Sequence, residues 1–329
     1  MHELFMCLGF LLAAYSVIAN DVIQTLGTFL SSNARVAWWK LWAYAGTILT
    51  VILVYGWHKN GGDVSYGRLI GDAADGFDFS NPRYPHPNPM VWWYVLPPAV
   101  LLCVTRLGIP VSTTFMILTF FAPGNLGPML IKSVSGYAVA FITAIIGYLF
   151  IAKSIEKHFL DHPLDRSLKS KRWWTLAQWS ATGFLWSQWL IQDFANIYAY
   201  LPRKLGLPEL VLSLVALLVL LAYIFYQRGG AIQKIVLSKR NTTDIRSATI
   251  IDLLFGLILL FFKEVSSIPM STTWVFIGLL AGREYALTMR IDRKVTGKIH
   301  RMISFDLGKV SLGLVVSVAL VFILKFLQG

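Results

Sequence analysis

Two aspartates and two hydroxyl-rich turns are the residues of this sequence whose types and spacing could do chemistry. Asp21 stands in Ala19-Asn20-Asp21-Val22-Ile23-Gln24 and Asp193 in Ile191-Gln192-Asp193-Phe194-Ala195-Asn196, each deep in an apolar stretch and beside amide side chains. A carboxylate at the centre of a bilayer costs at least ~2.5 kcal/mol on insertion scales, so it needs a partner or a role. One such Asp could instead cap a helix end or snorkel to the interface, but recurrence in both halves argues for function. The turns read Ile109-Pro110-Val111-Ser112-Thr113-Thr114 and Ile268-Pro269-Met270-Ser271-Thr272-Thr273. Proline suits the first turn of a helix, so Pro110 and Pro269 are expected to start helices. The free N–H groups there, the positive end of the helix dipole and the hydroxyls of Ser112, Thr113, Thr114, Ser271, Thr272 and Thr273 would form an anion site without a fixed cation. The alternative is that these hydroxyls bond back to their own helices or permit close packing.

Carboxylates beside an anion repel it unless something intervenes. One remedy is a coupling cation such as Na⁺, held by oxygens of Asn20, Gln24, Gln192, Asn196 and backbone carbonyls. The other is a substrate proton that Asp21 and Asp193 accept. Monobasic phosphate carries such protons and sulfate at neutral pH does not, which favours phosphate and leaves as alternatives a permease for sulfate or another oxyanion, or a non-transporting membrane receptor or sensor on the same scaffold. No nucleophile and base pair accompanies the motifs, so neither an enzyme nor a resident cofactor is expected.

These residues sit in a chain of 329 residues that is 56% apolar and only 14% charged, with a mean hydropathy of +0.61. Apolar runs near the ~18–20 residues that cross a bilayer recur throughout, so an all-α polytopic protein embedded in a lipid bilayer is expected. The net charge of +12 comes from Lys and Arg in short loops, which reads as a topology signal and not as a nucleic-acid surface. Cys7 and Cys103 lie in apolar stretches and read as small packed residues.

Spans are expected over 4–30, 36–57 and 131–152, then over 173–200, 207–226 and a last segment. Between them lie two pairs of shorter pieces, 91–105 with 107–121, and those on either side of Lys263 to Pro269. Together with the paired motifs, this order divides the chain into a first repeat at 1–152, a basic linker at 153–172 and a second repeat at 173–329. The polar loop at 58–90 sets Lys59, Arg68 and Arg83 against Asp63, Asp72, Asp75 and Asp78, and the loop at 122–130 carries no charge. Their counterparts hold Arg228, Lys234, Lys239, Arg240 and Arg246, then Arg283, Arg290, Arg293, Lys294, Lys298 and Arg301. By the positive-inside rule the repeats are inverted, with three spanning helices and one hairpin each and both termini outside the cytoplasmic (inner) membrane. A hairpin of half-length pieces is a candidate for re-entry, and inverted repeats with broken helices point to a transport site at the midplane.

On these motifs the chain resembles the PiT family of inorganic phosphate transporters. IANDVIQTLGT is similar to the family's GANDVANAFGT, and GIPVSTT and SIPMSTT are similar to its GxPVSTTH. The resemblance runs over the whole chain in order. It implies ion-coupled symport of phosphate, or of sulfate in some relatives, with Na⁺ or H⁺, by alternating access, often as a homodimer. The chain departs from the pattern at Phe115 and Trp274, where the family has His, and at Gln24 and Gln192, where it has Asn.

Other features carry less. His158 and His162 flank Asp161 at helical spacing, which reads as a solvated linker more readily than as a metal site, and Asp72, Asp75 and Asp78 lack calcium-loop spacing. Arg106 and Lys263-Glu264 lie at the hairpin turns, where they would pair or snorkel, with attraction of the anion by Arg106 as the alternative. Trp38, Trp39, Trp92, Trp93, Trp173 and Trp174 read as interface belts.

Overall fold

Long runs of Leu, Ile, Val and Phe can satisfy their backbone in lipid only as helices or as a closed barrel, and the computed structural model of the chain is helical. It describes residues 1–71, 79–107, 111–151, 157–162, 168–229, 233, 244–292 and 297–328, and among these there is no strand. The first half begins with α1 (His2–Val17), a π-helical turn (Ile18–Val22) and α2 (Ile23–Ser32). Next come α3 (Trp38–Lys59), a 3-10 turn (Trp92–Val95) leading into α4 (Leu96–Arg106), α5 (Thr113–Phe121) and α6 (Leu126–Ile151). After the short α7 (Lys157–Asp161), the second half runs α8 (Leu168–Tyr198), α9 (Leu207–Tyr226), α10 (Ile245–Val265) and α11 (Thr272–Leu287). It ends with a second π turn (Thr288–Asp292) and α12 (Gly297–Gln328).

Six helical segments among the described residues are long and apolar enough to cross a membrane: 2–22, 38–59, 123–150, 207–226, 245–265 and 299–323. The protein is therefore an all-α polytopic membrane protein. Two details differ from the sequence expectation. The piece before the second hairpin turn is not half-length, because α10 has 21 residues and could cross alone. Conversely α8, at 31 residues, is too polar for that set, because its inner face carries Gln178, Thr182, Gln188, Gln192, Asp193 and Asn196, all buried.

The halves interlock. α5 of the first half packs on α12, α11 of the second half packs on α6, and α3 packs on α9. Glycines set the closeness: a Cβ on Gly282 would meet the Phe141 carbonyl at 2.3 Å, and one on Gly278 the Tyr137 carbonyl at 2.5 Å. Small residues permit such backbone contact in membranes, where dispersion and packing replace the hydrophobic drive.

Several charges expected in loops are core residues. Arg283 lies on α11, fully buried, with Nη1 3.0 Å from Glu284 Oε1 and its guanidinium over the Tyr148 ring. Arg246, also buried, pairs with Asp244 at 2.7 Å. Buried, paired arginines do not mark the cytoplasmic side as free loop cations would. Lys234, Lys239, Arg240, Arg293 and Lys294 lie outside the described residues, as do Asp72, Asp75, Asp78 and Pro110. Cys7 and Cys103 are exposed on the outer surface of the bundle, not packed inside it. Trp39, Trp92 and Trp173 are exposed, whereas Trp186 and Trp189 stack inside with ring centroids 4.9 Å apart.

Candidate functional site

The two Asp segments have different backbones. In the first half the helix opens into the π turn Ile18–Val22, which carries Asn20 and Asp21. In the second, α8 continues unbroken through Asp193 and Asn196. A π turn is a local widening often found at functional sites, and here it turns Asn20 so that Nδ2 reaches both Asp21 Oδ1 (2.6 Å) and the Val111 carbonyl (2.7 Å).

The Ser-Thr-Thr segments start helices, but not at the prolines. Ser112 and Ser271 are the N-caps of α5 and α11, their hydroxyls accepting from the N–H of Phe115 (3.2 Å) and Trp274 (3.3 Å). Pro269 lies two residues before its cap, since serine satisfies an orphan N–H that proline at the first helical position would merely lack. The serine hydroxyls are thus committed to their own helices, and the threonines face the aspartates. Thr113 Oγ1 donates to Asp21 Oδ2 at 2.6 Å. Thr114 Oγ1 lies 3.1 Å from the Met270 carbonyl and 3.4 Å from Asp193 Oδ1. In the mirrored contact Thr273 donates to the Val111 carbonyl at 3.1 Å, and Thr272 lies beside Asp193. Asn196 Nδ2 ties the centre together, reaching Asp193 Oδ1 (2.7 Å), Thr113 (2.9 Å) and Thr114 (3.2 Å).

All eight candidate substrate residues, Asp21, Ser112, Thr113, Thr114, Asp193, Ser271, Thr272 and Thr273, are buried within this one cluster. Four buried polar atoms in it have no hydrogen-bond partner: Asn20 Oδ1, Gln24 Nε2, Asp193 Oδ2 and Asn196 Oδ1. Buried polar atoms are nearly always paired, and leaving one unpaired costs about 1–3 kcal/mol. Of the oxygens suggested for a cation, those of Asn20, beside Asp21, and Asn196, beside Asp193, stand open. Gln192 differs, because its Oε1 accepts from Arg68 Nε (3.1 Å) and Nη2 (2.6 Å), and its Nε2 donates to the Leu259 carbonyl.

Arg68, held on Gln192 next to Asp193, is a buried cation beside the cluster. Sequence reasoning left it in a polar loop, yet it is 2% exposed. Lys132 on α6 was also missed: its Nζ donates to the carbonyls of Ser266 (2.6 Å) and Ile268 (2.7 Å), while the neighbouring Ser133 Oγ accepts from the Ser271 N–H (2.8 Å). A sequence signal for it existed, since Lys132 precedes Gly136 as Lys309 precedes Gly313 in the two closing helices. A third buried carboxylate, Asp252 on α10, accepts from Thr28 and Thr182 at 2.5 Å each. Arg106 is exposed at the end of α4, and Lys263 pairs with the exposed Glu264 at 2.9 Å. The positions after Ser-Thr-Thr form an aromatic pair across the halves, Phe115 edge-on to Trp274 with centroids 6.1 Å apart. His158 and His162 stack on one another at 4.4 Å, and among the described residues no group of three or more His, Cys, Asp or Glu could hold a metal ion.

No protein-family profile matches the sequence, and no curated protein does so. One solved structure, described as the sodium-dependent phosphate transporter, aligns over 98% of this chain and 98% of its own at a TM-score of 0.57 and 16% identity, so the fold of this chain is similar to the fold of that transporter.

Proposed function

We propose that the protein is a secondary transporter of inorganic phosphate, working by ion-coupled symport and alternating access across the cytoplasmic membrane. The observation that carries this is the single buried cluster to which both halves contribute one aspartate and one threonine-bearing helix start, with four buried polar atoms left for partners the protein does not supply. The fold likeness to a sodium-dependent phosphate transporter supports the same reading. Two helix N-termini and their hydroxyls suit an oxyanion. Asp193 Oδ2, the open carboxylate oxygen, suits a proton on that oxyanion, which favours phosphate over sulfate. Asn20 Oδ1 and Asn196 Oδ1 are hard oxygens available to a coupling Na⁺.

Closure of the site supports alternating access. Asp21, Asp193, Asn20 and Asn196 are at most 1% exposed, so in this conformation the site opens to neither side. Substrate exchange then requires movement of one interlocked half against the other, as in transporters built from inverted repeats. In proteoliposomes, labelled phosphate should accumulate under an imposed Na⁺ or proton gradient. Asp21→Asn and Asp193→Asn should each reduce that uptake without loss of expression. Wild-type rates from both variants would overturn the proposal.

A further inference from the structure

The connection between α3 and α4 begins with a loop that folds on its own hydrogen bonds. Asp63 Oδ1 accepts from the N–H (2.8 Å) and hydroxyl (2.6 Å) of Ser65, and Oδ2 accepts from the Gly67 N–H (2.7 Å). Burial pushes the Asp63 carboxyl above its ordinary range, against the pull of these donors and of Arg203 nearby. Tyr66 takes a left-handed φ of 54°, held by its hydroxyl on the Ile52 carbonyl at 2.6 Å. A left-handed tyrosine is costly and persists only where its surroundings fix it. The result is that Arg68 turns inward. Gln192, which accepts its fork, lies six residues before the end of α8, so the guanidinium reaches about 9 Å inside that helix end. The next residue is Asp193, which feels the Arg68 charge.

We propose that Arg68 is the cationic member of the anion site, a substrate-recognition residue delivered by a first-half loop to the second-half aspartate and hydrogen-bonded there to Gln192. This rests on the oxyanion-site reading above. An ionisable group buried at this depth is by default functional. The planar guanidinium matches two oxygens of a tetrahedral oxyanion, and hydrogen bonds to an anionic oxygen are stronger than those to a neutral one. Arg68 then reads the charge of the ligand while the open Asp193 Oδ2 reads its proton, so the pair selects an oxyanion that is both anionic and protonated.

Equilibrium binding of radiolabelled phosphate to the detergent-solubilised full chain tests this apart from transport. Arg68→Gln should weaken binding at least ~10-fold, the scale of losing a charge-assisted fork, with thermal stability close to wild type. Arg68→Lys keeps the charge without the fork and should fall between the two. Sulfate should not displace phosphate from the wild type. Arg68→Gln binding within about twofold of wild type would overturn the proposal, as would full affinity in Arg68→Lys if the Gln variant does not fold. A wild type that binds phosphate but does not carry it contradicts the transport reading alone.

Discussion

The two aspartate segments share a motif and differ in nearly everything around it. Asp21 sits on a π turn within a helix, with both carboxylate oxygens occupied, Oδ1 by Asn20 and Oδ2 by Thr113. Asp193 sits on a continuous helix with Oδ2 unpartnered and the Arg68–Gln192 fork one residue away. The lesson is a structural difference that the proposed site would use as a division of labour: Asp21 knots the π turn to the α5 start, and Asp193 would present the working face. The coupling and substrate chemistry should therefore be more sensitive on the second side, even though the sequence motifs look equivalent.

The largest expected effect follows directly. Asp193→Asn should cut phosphate uptake by about 100-fold, the scale of removing one charged partner from a buried site. Asp21→Asn should cut it less. Its more visible consequence should be a loss of about 1–3 kcal/mol of stability, because an amide cannot accept from both Asn20 and Thr113 in place of two carboxylate oxygens. Uptake assays paired with thermal unfolding check this, and equal losses of both kinds from the two variants would erase the distinction.

A middling effect tests the interlocking of the halves. A Cβ on Gly313 would meet Val111 Cγ1 at 2.2 Å, whereas one on Gly136 would meet Val275 Cγ2 at 2.9 Å. Gly313→Ala should cost about 1–3 kcal/mol by overpacking, and Gly136→Ala less, as read by thermal unfolding in matched detergent. The reverse order would mean that Val111 in the first-half turn yields more readily than Val275 on α11.

The smallest effect concerns the loops over the α8 end, where Arg203 donates to the carbonyls of Tyr84 (2.7 Å) and Leu201 (2.7 Å). Burial, then the Arg203 charge, lowers the His86 imidazole from 6.5 to about 4. The unfolded chain therefore takes up this proton first. The stabilisation is complete above 6.5 and declines as pH falls toward 4. The melting temperature should drop slightly across that window, and His86→Gln should flatten the slope.

Much of this was legible in the sequence because lipid leaves few options. The helices, their order and the convergence of both Asp and both Ser-Thr-Thr segments follow from apolar runs and repeated strings. What escaped has physical reasons. Arg68 carries no local signal, since only the Asp63-centred turns decide that a loop arginine points inward. Arg283 reads as a loop cation until α11 extends past it and Glu284 pairs with it. Asp252 was visible as a lone acid in an apolar run, but without a counterpart in the first half it did not stand out, and its partners Thr28 and Thr182 come from distant segments. The prolines misled because serine capping outcompetes proline for the helix start.

The central claim is one occluded site shared by both halves. Its most direct test is the stoichiometry of phosphate bound to purified protein at saturation. The account predicts a single phosphate per chain, with affinity weakened by Asp193→Asn on one half and by Thr113→Ala on the other. Two independent phosphates per chain, each sensitive to only one half, would contradict it.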